Sequence, residues 1–428
     1  MKNKHIYIYY LILLLLLFFR DSDSAPSFVV RMGYLLAFFL PLVTWYRNLF
    51  SSCLICFMTI SIYGFAYNYF PYNAGIYLII LLMSLLLGGN PTIKFNPIFV
   101  VFILFIVIRD FVDVYTPHNL FYSACTVGLF SSIHGSNKSD IARKMAVAFT
   151  IISLVLSSMY FLNYNRFIED YNVSENLERS GWTDPNYLSC IIGMGVLSAF
   201  ILLVSTAKRG ILLVLYCTVV VVISVIAQVL LASRGGILSI VVSLCILIFT
   251  SKLKFSHKLF IVLLLACFAF CIISSDYVLL LEHRIQNDVG GGSGRLDIWQ
   301  NKLTEYMNCG NPLKWIFGFG NISAFRLTAV GDGFVGFHND YLAFLCAYGL
   351  IGFGMFIYIL LYPLKISNKQ NRYVVISLLS YLMVCSLTLE PLSAGDISYI
   401  AFYYMILTYA AEGTVGNNDK KHTLYSYS

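Results

Sequence analysis

Long apolar runs recur along this chain from its first residues almost to its last, and a chain built that way cannot fold as a water-soluble globule. Of its 428 residues, 59% are hydrophobic and only 11% are charged, which excludes a soluble domain. An apolar run of about 20 residues crosses a bilayer as a helix. Such runs stand near 6–19, 27–45, 49–67, 74–88, 97–115, 119–133, 145–163, 186–204, 210–231, 235–250, 259–274, 340–362, 373–389 and 397–411. Several fall short of the roughly 17 residues a span needs, so the expected fold is an all-α polytopic integral membrane protein of about 12–14 transmembrane helices.

Charge orients the runs. With the N-terminus inside and the runs alternating, the inner side collects Lys2, Lys4, Arg47, Lys94, Lys138, Arg143, Lys144, Lys208, Arg209, Lys252, Lys254, Lys258, Lys365, Lys369, Arg372, Lys420 and Lys421, which is 17 of the 28 basic residues. Only Asp140, Glu412 and Asp419 of the 21 acidic residues join them. Short cytoplasmic loops attract Lys and Arg, so both termini are expected in the cytoplasm. Met1 to Phe19 has the basic start and apolar run of a signal peptide. Asp23 and Pro26 spoil the cleavage site around Ala25, so it reads as an uncleaved first span. Asp21 and Asp23 are spaced like a metal-binding acidic pair and read as a short solvated loop. Of 11 Cys only Cys309 falls in an outer loop, so no disulfide framework is expected, and Cys53 and Cys56 read as small buried residues of a span.

The organisation expected is 1–163, N-terminal transmembrane helices; 164–274, central helices with a first long periplasmic loop; 275–337, a large, partly helical periplasmic loop; 338–411, C-terminal helices; and 412–428, a cytoplasmic tail. The large loop is too long for a plain connection. Arg295 to Met307 reads as a short helix with Leu296, Trp299, Leu303 and Tyr306 at helical spacing. Its apolar face is expected on the bundle, with its basic residues turned to an aqueous cleft. Gly349, Gly352 and Gly354 in the following span are expected to admit close helix packing. Arg109 and Asp110 sit near the outer end of a span, where ionisable groups are paired or line a polar cavity.

The candidate chemistry lies on the outer side. Arg234 stands in a tight turn, Ser233-Arg234-Gly235-Gly236, where two glycines let the backbone approach closely and offer N–H groups to an anion. Arg234 and Arg295, with Arg179 and Arg284 as further candidates, converge on the membrane lip, where a lipid-borne pyrophosphate would lie. Arginine binds phosphate bidentately and keeps its charge there. His338, just before an apolar run, can take a proton near neutral pH. Asp184-Pro185-Asn186 reads either as a helix-entry turn or as a substrate contact. Trp182, Trp299 and Trp315 fall in outer loops, where they suit sugar stacking and interface anchoring equally well. No His/Cys/acid cluster has metal-ligand spacing, so no metal and no cofactor are expected, and arginines take the role of charge stabiliser. No nucleic-acid partner is expected.

Together these residues resemble the O-antigen polymerase and O-antigen ligase superfamily of lipid-linked-glycan transferases. The resemblance covers roughly residues 180 to 362. It rests on Ser233-Arg234-Gly235-Gly236 after a span, Arg295-x-x-x-Trp299 in a large outer loop, Gly318-x-Gly320, and His338-Asn339-x-x-Leu342 followed by Gly349 and Gly352. It implies a metal-independent, inverting glycosyltransferase of the bacterial inner membrane with an undecaprenyl-pyrophosphate-linked oligosaccharide as donor. By position Arg234 and Arg295 would hold the pyrophosphate and His338 would activate or orient the acceptor hydroxyl. Arg179, Asp184, Asn186, Arg284, Trp299 and Asn339 would contact substrate. Asp184-Pro185-Asn186 is similar to a turn of the polymerase branch, which favours O-antigen polymerase over ligase. A lipid-linked-oligosaccharide flippase is the non-enzymatic alternative. Membrane lipids surround the chain, and a chain-length regulator and a flippase are its candidate protein partners.

Overall fold

The computed structural model describes residues 97–112, 138–162, 185–205, 210–231, 233–251, 295–320, 329–330, 333–334, 336–390, 392 and 397–411, with five single residues between 255 and 266. The spans expected before residue 97, at 119–133 and at 259–274 lie outside them. So do Asp21, Asp23, the Cys53–Cys56 pair, Arg179, Trp182, Asp184, Arg284 and Arg326.

The described residues form a helical bundle. Its elements are α1 (Pro97–Val112), α2 (Lys138–Leu162), α3 (Pro185–Ser205), α4 (Ile211–Leu230) and α5 (Arg234–Thr250). Then come α6 (Arg295–Met307), α7 (Pro312–Phe317), a two-stranded antiparallel hairpin β1 (Ala329–Val330) and β2 (Gly333–Phe334), α8 (Asp340–Ile366), α9 (Arg372–Thr388) and α10 (Ile397–Ala411). The eight apolar runs expected in this part of the chain are all helices. The largest difference is at α2, which starts seven residues before the apolar run, at Lys138. A polar first turn extends a helix beyond its hydrophobic stretch at no cost, because hydropathy marks the membrane portion and not the helix end.

α3 is apolar on every side and is accordingly central, packed by α2, α4, α5, α9 and α10. α4 shows why the solvent around the bundle is lipid. Its inward face buries Cys217, Val220, Ser224, Ala227 and Gln228. Its outward face leaves Ile211, Leu212, Leu215, Val219, Val222 and Ile226 exposed. In water a contiguous apolar stripe of that length is rare on a monomer; hydrocarbon removes the penalty. Three of the described helices, Asn186–Val204, Ile211–Leu230 and Asp340–Ile366, are long and apolar enough to cross a membrane. With the bilayer supplying no net hydrophobic drive between helices, small residues and hydroxyls knit them. Ser153 bonds Ser224 at 2.7 Å and donates to Ile192 O at 2.8 Å, and Ser377 donates to Ser243 O at 2.8 Å.

α8 is broken at Gly349 (φ 65°, ψ −168°), a left-handed backbone that costs other residues about 1–2 kcal/mol. Into this break fits the end of α7, itself turned by Gly318 (φ 77°). A side chain on Gly318 would strike the Ala347 carbonyl, and one on Gly349 would strike that of Ile316. The N–H groups of Phe319 and Gly320 donate to the carbonyls of Cys346 and Ala347, both at 2.8 Å. Arg109 on α1 seals the joint, donating to Phe317 O and Gly318 O, both at 3.0 Å. Of the other two glycines on α8, Gly352 lies against Tyr348 and Phe105 as expected, while Gly354 has no neighbour among the described residues.

Candidate functional site

The turn between α4 and α5 brings in the first candidate residues. Ser233 caps α5, its Oγ accepting from Gly236 N at 3.4 Å and donating to Asn186 Oδ1 at 3.0 Å. Such a cap stabilises a helix by about 1 kcal/mol. Arg234 follows at the first helical position and is exposed. The two glycines serve packing: Gly235 lies against Thr388 of α9, and Gly236 against Ser189 and Gln228. The expected offer of backbone N–H groups to an anion is therefore corrected at Gly236, whose N–H is taken by Ser233.

α6 brings the second arginine to the same place. Arg295 is half-buried and donates from Nη1 to Thr388 O at 2.6 Å, so the segments of Arg234 and Arg295 meet on one residue. The face of α6 is also corrected. Trp299 and Tyr306 turn toward the bundle as expected, but Leu296 and Leu303 are exposed, and the residue between them that is buried is Lys302, 0% exposed. Its ammonium lies over the Phe337 ring, 4.2 Å from the centroid. Burial holds Lys302 below the ordinary lysine range, against the charges of Glu390 and Glu305 that raise it. Trp299 Nε1 donates to Phe337 O at 2.8 Å, and Tyr306 and Trp315 exchange hydrogen bonds that tie α6 to α7.

His338 sits in the turn that enters α8, with φ 48°, a left-handed backbone few non-glycine residues adopt. Its Nδ1 is buried. The residue before it, Phe337, donates its N–H to Glu390 Oε2 at 3.1 Å. The residue after it, Asn339, is buried and caps α8, accepting from Leu342 N at 3.2 Å. Asp340, fully buried, accepts from Leu392 N at 3.1 Å, and its own N–H donates to Leu389 O at 3.2 Å. Glu390 is pushed up to about 7, first by burial and then by the Asp340 charge; the N–H groups of Phe337 and His338 and the Lys302 ammonium oppose the rise.

One end of the bundle thus gathers Asn186, Ser233 with Arg234, Arg295, Trp299, His338 and Asn339, joined through Thr388 and Phe337. Arg179, Asp184 and Arg284 lie outside the described residues. Sequence reasoning missed Glu390, Lys302 and Thr388. Glu390 had one signal, a lone carboxylate directly after a span; Thr388 had none. Among the described residues no group of three or more His, Cys, Asp or Glu is placed to hold a metal.

Fold and site define an all-α membrane protein with a cationic, imidazole-bearing site at one end of its bundle. Residues 219–357 match the family model of the O-antigen ligase, Wzy_C, so over that stretch the chain is similar to the O-antigen ligase family. That stretch contains Arg234, Arg284, Arg295, Trp299, His338 and Asn339, and ends before Glu390. No curated protein matches the chain.

Proposed function

We propose that the chain is an O-antigen polymerase, a metal-independent, inverting glycosyltransferase that joins undecaprenyl-pyrophosphate-linked repeat units at the periplasmic face of the inner membrane. The observation that carries this reading is the meeting of the Arg234 and Arg295 segments on Thr388, beside the His338 turn. Arg234 and Arg295 hold the donor pyrophosphate. The acceptor hydroxyl oxygen bonds the anomeric carbon from the opposite face. The anomeric C–O bond breaks, undecaprenyl pyrophosphate leaves with the electron pair, and His338 takes the hydroxyl proton. Arg179, Asp184, Asn186, Arg284 and the ring of Trp299 contact the glycan or its carrier; Asn339 serves the site as the cap that fixes the helix behind His338. A chain-length regulator and a flippase work beside it.

The family description favours a second reading, a ligase that moves the polysaccharide to lipid A core; the polymerase reading rests on Asp184-Pro185-Asn186. Purified protein in nanodiscs, given a defined undecaprenyl-pyrophosphate repeat unit and a chelator, should yield products longer than one unit. Transfer to lipid A core without elongation makes it a ligase, and no transfer to either acceptor overturns both readings. In cells a polymerase deletion leaves one repeat unit on the lipopolysaccharide, and a ligase deletion leaves none. Arg234→Ala and Arg295→Ala should each abolish long chains while the protein still accumulates in the membrane. Lysine should rescue poorly at either position, since it lacks the bidentate fork.

A further inference from the structure

We propose that Phe337 is the handle by which α6 and the segment after α9 orient the His338 imidazole, and that Trp299, Lys302 and Glu390 are positioning residues for the transfer. This rests on His338 being the imidazole of the proposed site. Phe337 is fully buried and is gripped at three separate points. Glu390 takes its N–H, Trp299 takes its carbonyl, and Lys302 covers its ring. The next residue, His338, holds a left-handed backbone, and the one after is tied down as a helix cap. Such a backbone persists where its surroundings over-determine it; here both of its neighbours are fixed.

Lys302 is the informative member. An apolar chain of the same length would fill the space without desolvating an ammonium, and burying a charge is expensive. Among the described residues its Nζ makes no hydrogen bond. What it gains is the face of one aromatic ring, a contact that strengthens when water is excluded, and the nearby charge of Glu390. The ring belongs to the residue before His338, and the carboxylate bonds that residue's N–H. Glu390 also lies against Gly336, so one carboxylate touches both residues that precede the imidazole.

The test uses the full-length protein in nanodiscs, with two readouts. The first is the rate at which diethyl pyrocarbonate modifies His338, followed at that peptide by mass spectrometry. The second is steady-state transfer. Trp299→Phe, Lys302→Met and Glu390→Gln should each raise the modification rate severalfold. All three should lower kcat by about 10–100-fold, and Lys302→Met and Glu390→Gln, which touch no substrate, should leave KM within about twofold, as expected of a misplaced group and not of lost binding. Lys302→Arg should return both readouts toward wild type. Unchanged His338 modification in Trp299→Phe and Glu390→Gln overturns the proposal, and an arginine as damaging as methionine removes Lys302 from it. If Lys302→Met fails to accumulate, the other three variants decide. If the wild type transfers nothing, the proposed function fails, while the modification readout still tests the handle.

Discussion

At His338 the backbone and the side chain ask for different residues. The left-handed φ suits Gly or Asn, while the chemistry asks for an imidazole. His338→Asn should therefore fold as well as wild type, with thermal unfolding in detergent unchanged or slightly improved. Transfer should fall by about 10²–10⁴-fold, the usual worth of a general base. An asparagine variant that still makes long chains would exclude proton transfer at this position. Glu390 gives a second residue-scale prediction. Its folded value of about 7 lies above its ordinary 4.5, so the folded state holds the proton more tightly. Stability from this group is full below about 4.5, declines as pH rises through about 7, and is flat above. Glu390→Gln should erase that slope. The stability difference between variant and wild type should change between about pH 4.5 and 7 in unfolding curves and stay constant above.

Among elements, the joint between α7 and α8 is the most exacting. Gly349→Ala adds a left-handed penalty of about 1–2 kcal/mol to a collision with the Ile316 carbonyl. It should loosen the docked loop and make residues 308–320 the first site of limited proteolysis. Gly354→Ala, which meets nothing, should leave the digestion pattern as it was. α6 shows how far such elements were legible from residues alone. Helical spacing was correct over Arg295 to Met307, but two adjacent stripes compete on that helix. Leu296, Leu303 and Met307 make the more apolar one; Trp299, Lys302 and Tyr306 make the one that docks. Periodicity identifies a helix and not which stripe finds a partner. Lys302 is buried because Phe337, far along the chain, arrives over it. Thr388 was illegible and Glu390 only faintly marked for the same reason: each acquires its role from residues some fifty to ninety positions away. The eight spans among the described residues, by contrast, were read well, because in lipid a helix is defined by its own apolar length.

Taken whole, the molecule has two unlike ends. Arg295, Trp299 and His338 mark one; Ser367, Arg372 and the bond from Asn371 to Tyr409 O mark the other. A cysteine at exposed Asn301 and one at exposed Gln370 should label from opposite sides of intact cells with an impermeant thiol reagent, Asn301→Cys from outside. Labelling of Asn301→Cys only after lysis would place the site in the cytoplasm and remove the lipid-borne donor from its reach. The interrupted helix bears on how such a molecule is made. Its first half, residues 340–348, is only roughly 13 Å long at 1.5 Å per residue, and two of its carbonyls are satisfied by amides that belong to the preceding hydrophilic segment. Lipid offers those oxygens nothing. The segment must therefore have settled before the helix after it can come to rest, and synthesis from the N-terminus delivers the two in that order.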